Sequence, residues 1–454
     1  MNAALSLCLL MSLAQEKPAE PPKTPAPPPP AQEPVKVEPL LKTLANQITI
    51  GGQLRLRAEY RDPIAYNNPA GTPKDDQHED ADLLLERIRL NLTFTLADQI
   101  TIFFQPQDQR TFGDEGAAAT PVFVSDETNL DVHQGWVEVK DLLSPGLSLK
   151  IGRMELSYGD QRLVSPLDWS NIGRAWDGAK LRYQQPDWWA EAFYTVIKEV
   201  QGAEDDQDFY GFYASYVGVK DHEFDVYVFG RTLNDNLFTG ETSGPANDRM
   251  DFTPGVRLKG KMAGFDYTAE GMVQRGEVGD DDVKAWAAAL TFGYTFDIDW
   301  KPRIGVEYTH ASGDGDPTDG DHETFDLMYG FGHFYQGFAD IFSFKNGKDL
   351  ALYLKVAPAP YLSFHVDIHT FTLDEDVDSW YNFAGAPIRT DATGAAGDEI
   401  GNEIDVHFRW AVGKHVKFWG GVTRFFAGDF VEDTKGAGTD GDMTWAFLQA
   451  VVEF

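Results

Sequence analysis

The sequence predicts an all-β protein, a transmembrane antiparallel up-and-down β-barrel of about 18 strands. Three observations carry that reading. Apolar and polar residues alternate with a period of two in run after run, as a strand with one apolar and one polar face requires. The connections between runs are long and short in turn, which segregates turns to one end and loops to the other. The chain closes on Phe454, with Val452, Ala450 and Leu448 alternating behind it on the apolar face.

The elements follow in order. Residues 1–14 contain a short uncharged apolar run, and Ser12 and Ala14 suit signal-peptidase cleavage before Gln15, so a signal peptide is expected there. Residues 15–46 hold ten prolines between Pro18 and Pro39, a composition that cannot bury a core and forms a stiff periplasmic linker. The barrel is expected over 47–454. Its first strand places Ile48, Ile50, Leu54, Leu56, Ala58 and Tyr60 on one face and Gln53, Arg55, Arg57, Glu59 and Arg61 on the other. The second repeats the pattern, Ile88, Leu90, Leu92 and Phe94 against Arg87, Arg89, Asn91 and Thr93. Further runs lie at 100–110, 131–140, 146–155, 177–184, 188–198, 208–220, 222–232, 251–260, 264–275, 283–296, 301–310, 349–358, 361–372, 401–412, 415–427 and 443–454. Connections such as Asp98–Gln99, Asp221 and Gly413–Lys414 are tight, whereas 61–83, 111–130, 156–176, 233–250, 311–348, 373–400 and 428–442 are long. Loops 156–176 and 311–348 are the candidates for folding into the lumen. Trp188, Tyr194, Trp410 and Trp445, near strand ends, are assigned to the aromatic girdles at the membrane interfaces.

Charge divides by location. The 454 residues carry 72 acidic and 38 basic side chains, a formal charge of −34, which excludes nucleic-acid binding through a basic face. The acidic excess concentrates in long loops: Asp75, Asp76, Glu79 and Asp80; Glu204 to Asp208; Asp374 to Asp378. Outer-membrane lipid and lipopolysaccharide are the partners expected around such loops, with the barrel-insertion machinery during biogenesis. Asp314, Asp316, Asp319 and Asp321 form a calcium-site candidate, although the glutamate that closes an EF-hand loop is missing. No other cofactor is expected. The polar strand faces instead carry Arg55, Arg57, Arg87, Arg89, Lys180, Arg182, Lys355 and Arg409, so the inferred lumen is mixed to mildly basic and suits an anionic solute. Arginines paired with carboxylates there would hold inward loops in place.

Residues 152–183 are the densest in motifs: Gly152-Arg153, Tyr158-Gly159-Asp160 with Arg162, Asp168-Trp169, then Arg174-Ala-Trp176-Asp177-Gly178 leading into Lys180 and Arg182. This pattern resembles the alginate export family of bacterial outer-membrane barrels. The segments Gly332-His333-Phe334-Tyr335 and Gly401-Asn-Glu403-Ile-Asp405 add to it, so that the resemblance spans roughly residues 48–454. It implies an 18-stranded barrel in the bacterial outer membrane and passage of a linear polyuronate past an arginine-rich constriction. By motif position it assigns Arg153, Arg174 and Arg182 to that ring, with Arg162 beside them and Asp177 in the same motif. Arg153, however, falls in the outward phase of its strand unless a bulge intervenes.

Enzymatic chemistry finds no footing. GxSxG, P-loop and HExxH motifs are absent, and the only cysteine is Cys8. Gly436 to Gly441 matches GxGxxG but precedes a strand and opens no helix. His365, Asp367 and His369 share one strand face, which reads as a polar lumen wall rather than a metal site. The expectation is a passive channel for an anionic saccharide, polyuronate or organic acid. The alternatives are a general porin of low selectivity and a plugged surface barrel working through its acidic loops.

Overall fold

The computed structural model describes residues 47–62, 81–96, 98–113, 130–197, 207–242, 244–434 and 441–454. The expected signal peptide at 1–14 and linker at 15–46 lie outside the described residues, as do the acidic stretches 75–80 and 204–206 and residues 436–440 of the glycine motif. No described helix is long and apolar enough to cross a membrane. The wall is made of strands.

In chain order these are β1 (Ile48–Asp62), β2 (Ala81–Leu96), β3 (Ile100–Gly113), β4 (Asp131–Val139), β5 (Leu147–Met154), β6 (Trp176–Gln184), β7 (Trp188–Ile197), β8 (Gln207–Tyr216), β9 (His222–Gly240), β10 (Gly244–Met262), β11 (Phe265–Val278), β12 (Asp281–Thr295), β13 (Arg303–Ala311), β14 (Asp321–His322), β15 (Gly347–Ala359), β16 (Leu362–Leu373), β17 (Ser379–Tyr381), β18 (Pro387–Thr390), β19 (Glu399–Val412), β20 (Val416–Ala427) and β21 (Met443–Glu453). β14, β17 and β18 belong to loops. The remaining eighteen pair with their sequence neighbours as an antiparallel up-and-down sheet, which closes where β1 meets β21 from Gln53↔Glu453 to Asp62↔Thr444. Closure removes every sheet edge, the condition for a β-structure inside lipid.

Two glycines and the terminal residue lock this seam. Gly52 N–H donates to the Phe454 carbonyl at 2.9 Å, and Phe454 N–H donates back to Gly52 O at 3.1 Å. A Cβ on Gly52 would sit 2.6 Å from the Phe454 ring, and one on Gly51 2.9 Å from its carbonyl oxygen. The aromatic terminus therefore closes the ladder as well as facing outward.

Strand alternation sets the two surfaces. Ile50, Leu56, Val256, Leu290, Val422 and Leu448 point outward and are exposed on the protein alone, as a lipid-facing band requires. Arg55, Arg57, Glu59 and Arg61 point inward and are buried. Short turns use residues that accept a left-handed backbone, with Asp98 at φ 56° and Asp221 at φ 61°.

Two expectations are corrected, and two loops carry internal structure. The stretch 233–250 is not a long loop: β9 and β10 run on to Gly240 and from Gly244, turning around Glu241 and Thr242. Loop 373–400 contains the β17–β18 hairpin, and 428–442 contains a short helix, α1 (Asp429–Thr434). Trp445 is no girdle residue. It is fully buried on the inner face, in phase with Phe447 and Gln449, while Trp188, Tyr194 and Trp410 do face outward.

Candidate pore constriction

Residues 155–175 and 312–346 both fold into the lumen, where their burial against the inner wall reveals them. Leu156, Tyr158, Leu163, Val164, Phe325, Leu327 and Phe344 pack with Phe193, Phe209, Phe229, Ala285 and Ala287 of one wall arc. Trp169, Phe331, Phe338, Ile341 and Phe342 pack with Phe371, Phe425, Trp445 and Phe447 of the opposite arc. Such inner-wall residues would be wet in a hollow barrel. Here apolar loop side chains cover them, and burial of that surface holds the loops inside.

The two loops also bind each other. Val164 and Tyr329 form an isolated parallel bridge. Ser165 N–H donates to Tyr329 O at 3.0 Å, and Tyr329 and Phe331 N–H donate to Leu163 O and Gln161 O at 2.9 and 3.0 Å. Gly330 permits this approach, since a Cβ there would lie 2.1 Å from the Arg162 carbonyl oxygen. Arg174 reinforces the junction through its Nη1, which donates to Tyr329 O at 2.6 Å. Burial pulls its guanidinium down to about 10, still charged at neutral pH. Arg162 pairs with Glu307 at 2.8 Å and stacks over the Tyr335 ring at 3.9 Å. Burial opposes its charge, and the Glu307 carboxylate more than offsets that, holding Arg162 above its ordinary range.

The arginines of β1 and β2 form a ladder beneath the first loop, because Arg55 pairs across the strands with Arg87, and Gln53 with Arg89. The segment 168–172 lies along that ladder and presents carbonyl oxygens to it. Arg55 donates to Asp168 O at 2.6 Å and Ser170 O at 2.8 Å. Arg57 donates to Trp169 O at 2.6 Å and lies over the Trp169 ring at 3.8 Å. Arg89 donates to Ile172 O at 3.1 Å. The Asp168 carboxylate bridges Arg87 at 2.8 Å and Arg89 at 3.0 Å, although its side chain is 59% exposed. Partial loss of water beside the loop and wall opposes its ionisation, and the guanidiniums of Arg87, Arg89 and Arg55 overcome this, keeping the carboxyl below the usual range. These four arginines are thus tethers for the inward loop.

The other expected residues are dispersed. Lys180 and Arg182 share Glu191 at 3.4 and 2.8 Å on the inner wall. Arg153 and Asp177 are corrected: they face outward, as the phase of Ile151 and Leu181 dictates, and pair with each other at 2.7 Å. Arg409 lies toward the short-turn end of the lumen, over the Trp419 ring at 4.6 Å. There it lines a cavity of about 470 Å³ with Arg303, Lys355, His365, Asp367 and His407. Neither Lys355 nor Arg409 forms an ion pair with a described residue. Lys355 was legible as a polar-face cation. Its lack of a carboxylate partner was not, because that depends on side chains from neighbouring strands β13, β16 and β19.

His365, Asp367 and His369 turn to separate partners: His365 stacks on His407, Asp367 accepts from His407 at 3.1 Å, and His369 pairs with Asp349 at 2.9 Å. The four loop aspartates are not gathered either. Asp316 engages Thr318, Asp319 the Asp321 N–H, and Asp321 the Lys284 ammonium at 2.5 Å. Among the described residues, the one group of three potential ligands within 4.8 Å of one another is Glu241, Asp314 and His322. No sequence signal pointed to Glu241 or His322, which lie in different connections.

The alginate export family profile matches residues 46–444. A comparison with curated proteins returned no match. Among solved structures, Pseudomonas aeruginosa OpdQ superposes at a TM-score of 0.57 with 12% identity, over 90% of this chain and 98% of that one. The outer membrane protein OprD of the same organism gives 0.55 and 14%, over 90% and 93%. Acinetobacter baumannii OccAB4 gives 0.54 and 13%, over 90% and 100%. At these identities the likeness is one of fold.

Proposed function

This chain belongs to the alginate export family and is an outer-membrane channel barrel; from that premise we propose that it passes anionic solutes bearing carboxylates, organic acids or acidic saccharides, by diffusion through its lumen. The observation that carries the reading is the pair Lys355 and Arg409. Both face the cavity at the short-turn end, and neither is neutralised by an ion pair. Phe334 and Trp419 line the same region, offering flat apolar surface beside the cations. A carboxylate passing there meets attraction without a buried, fully satisfied site, so it can leave as readily as it enters.

The test is the reversal potential of single channels in a planar bilayer under a salt gradient. Wild type is expected to favour anions, and the K355Q/R409Q double variant to lose at least half of that preference with little change in conductance. Unchanged selectivity in the double variant would remove the basis for an anionic substrate.

A further inference from the structure

At the outer end of the barrel, two separate connections converge. The β9–β10 tip supplies Glu241, and the second inward loop supplies Asp314 at its start and His322 in β14. β14 is held in place by parallel pairing with β12, Val283↔His322. The tip is held from below, where Thr242 N–H donates to the buried Asp281 carboxylate at 3.2 Å.

The Glu241 side chain is only 7% exposed. Its Oε2 accepts from Gly320 N–H at 3.0 Å. Its Oε1 is buried, has no hydrogen-bond partner, and lies 3.9 Å from His322 Nδ1. Asp314 is likewise buried, and its two oxygens receive the Asp316 and Glu323 N–H groups at 3.1 and 3.4 Å. Among the described residues no lysine or arginine pairs with either carboxylate. An unpartnered carboxylate oxygen is costly in a dry site, so its orientation toward a second carboxylate and an imidazole calls for a cation between them.

We propose that Glu241, Asp314 and His322 bind one divalent transition-metal ion of the zinc class, which ties the β9–β10 tip to the base of the second inward loop. Calcium and magnesium take oxygen ligands almost exclusively, whereas an imidazole nitrogen with two carboxylates suits zinc and its neighbours. Atoms 3.9 Å apart can share an ion at bonds of about 2.0–2.2 Å, and three protein ligands leave a fourth position for water. This site is independent of the solute the channel carries.

The experiment is calorimetric titration of Zn²⁺ into the chelator-treated full-length barrel in detergent. Saturable binding of one equivalent is expected, weakened at least tenfold in E241Q and in H322Q, and not displaced by Ca²⁺ at equal concentration. Zn²⁺ should also protect His322 of the wild-type protein from diethyl pyrocarbonate, read by peptide mass. That measurement stands even where a variant does not fold. Binding of wild-type strength in both variants, or binding without His322 protection, would overturn the assignment. Displacement by equal Ca²⁺ would overturn the metal class.

Discussion

Asp168 is the carboxylate that the arginine ladder holds, and it belongs to the protein itself. Its link to Arg87 and Arg89 is ionic, whereas most of the other tethers run to backbone carbonyls that no substitution can remove, with Asn171 and Glu155 adding side-chain contacts to Arg55 and Arg89. D168N should therefore loosen the segment without expelling it, seen as a rise in open-channel noise and a modest gain in conductance. The pH response follows from the same arginines. A carboxyl held below its usual range contributes above its unfolded pKa of about 4 and is lost only as pH falls through the lower folded value. Conductance of the wild type should stay constant from neutral pH to about 4 and change below it; D168N should lack that acid step. A second residue-scale test concerns the buried pair Arg162 and Glu307. R162M leaves the Glu307 charge stranded and should destabilise the barrel by about 3–5 kcal/mol, whereas R162M/E307L removes both charges and should cost less. Thermal unfolding followed by gel mobility measures both, and equal losses would sink the argument.

At the scale of elements, the loop junction depends on a missing side chain. Gly330 lets the second loop reach the Arg162 carbonyl, so G330A must push the strands of the Val164–Tyr329 bridge apart. The expected phenotype is a larger and more variable conductance in bilayer recordings from a barrel that still folds; wild-type traces would mean the junction does not narrow the path. The wall strands that carry these loops were legible because lipid outside and water inside impose a strict period of two. Even the inward fate of 156–176 and 311–348 could be anticipated from their length and aromatic content. The β9–β10 extension was not, because Asn234 and Asp235 with Gly240 and Gly244 break the apolar alternation on which the strand assignment relied. Trp445 went astray through composition: an aromatic near a strand end looks like a girdle residue, yet counting by twos from Phe447 puts it inside, where its Nε1 donates to Glu59 at 3.1 Å. The roles of Arg55, Arg57, Arg87 and Arg89 were half legible. Their inward phase could be read from alternation, but their carbonyl partners in 168–172 are backbone atoms with no sequence signature.

Across the whole molecule, two charge distributions act over different distances. The formal charge of −34 dominates the far field, and at low ionic strength it gathers cations at the mouths. Lys355 and Arg409 act on whatever enters the confined lumen, at close range. At about 10 mM salt the Debye length is roughly 30 Å, so the global acidity reaches across the entrance; at 1 M it shrinks to about 3 Å and only contact-range charges remain. Selectivity should therefore move toward anions as salt rises, the reverse of the simple loss of selectivity that a uniformly basic pore would give. Reversal potentials at a fixed concentration ratio, with the mean concentration stepped from about 10 mM to 1 M, measure this directly. K355Q/R409Q should keep only the screened part of that drift: its weak cation preference should fade with salt toward neutrality without crossing to anion preference. A wild-type pore whose anion preference falls monotonically would mean that the lumen cations, not the acidic exterior, govern entry at every ionic strength.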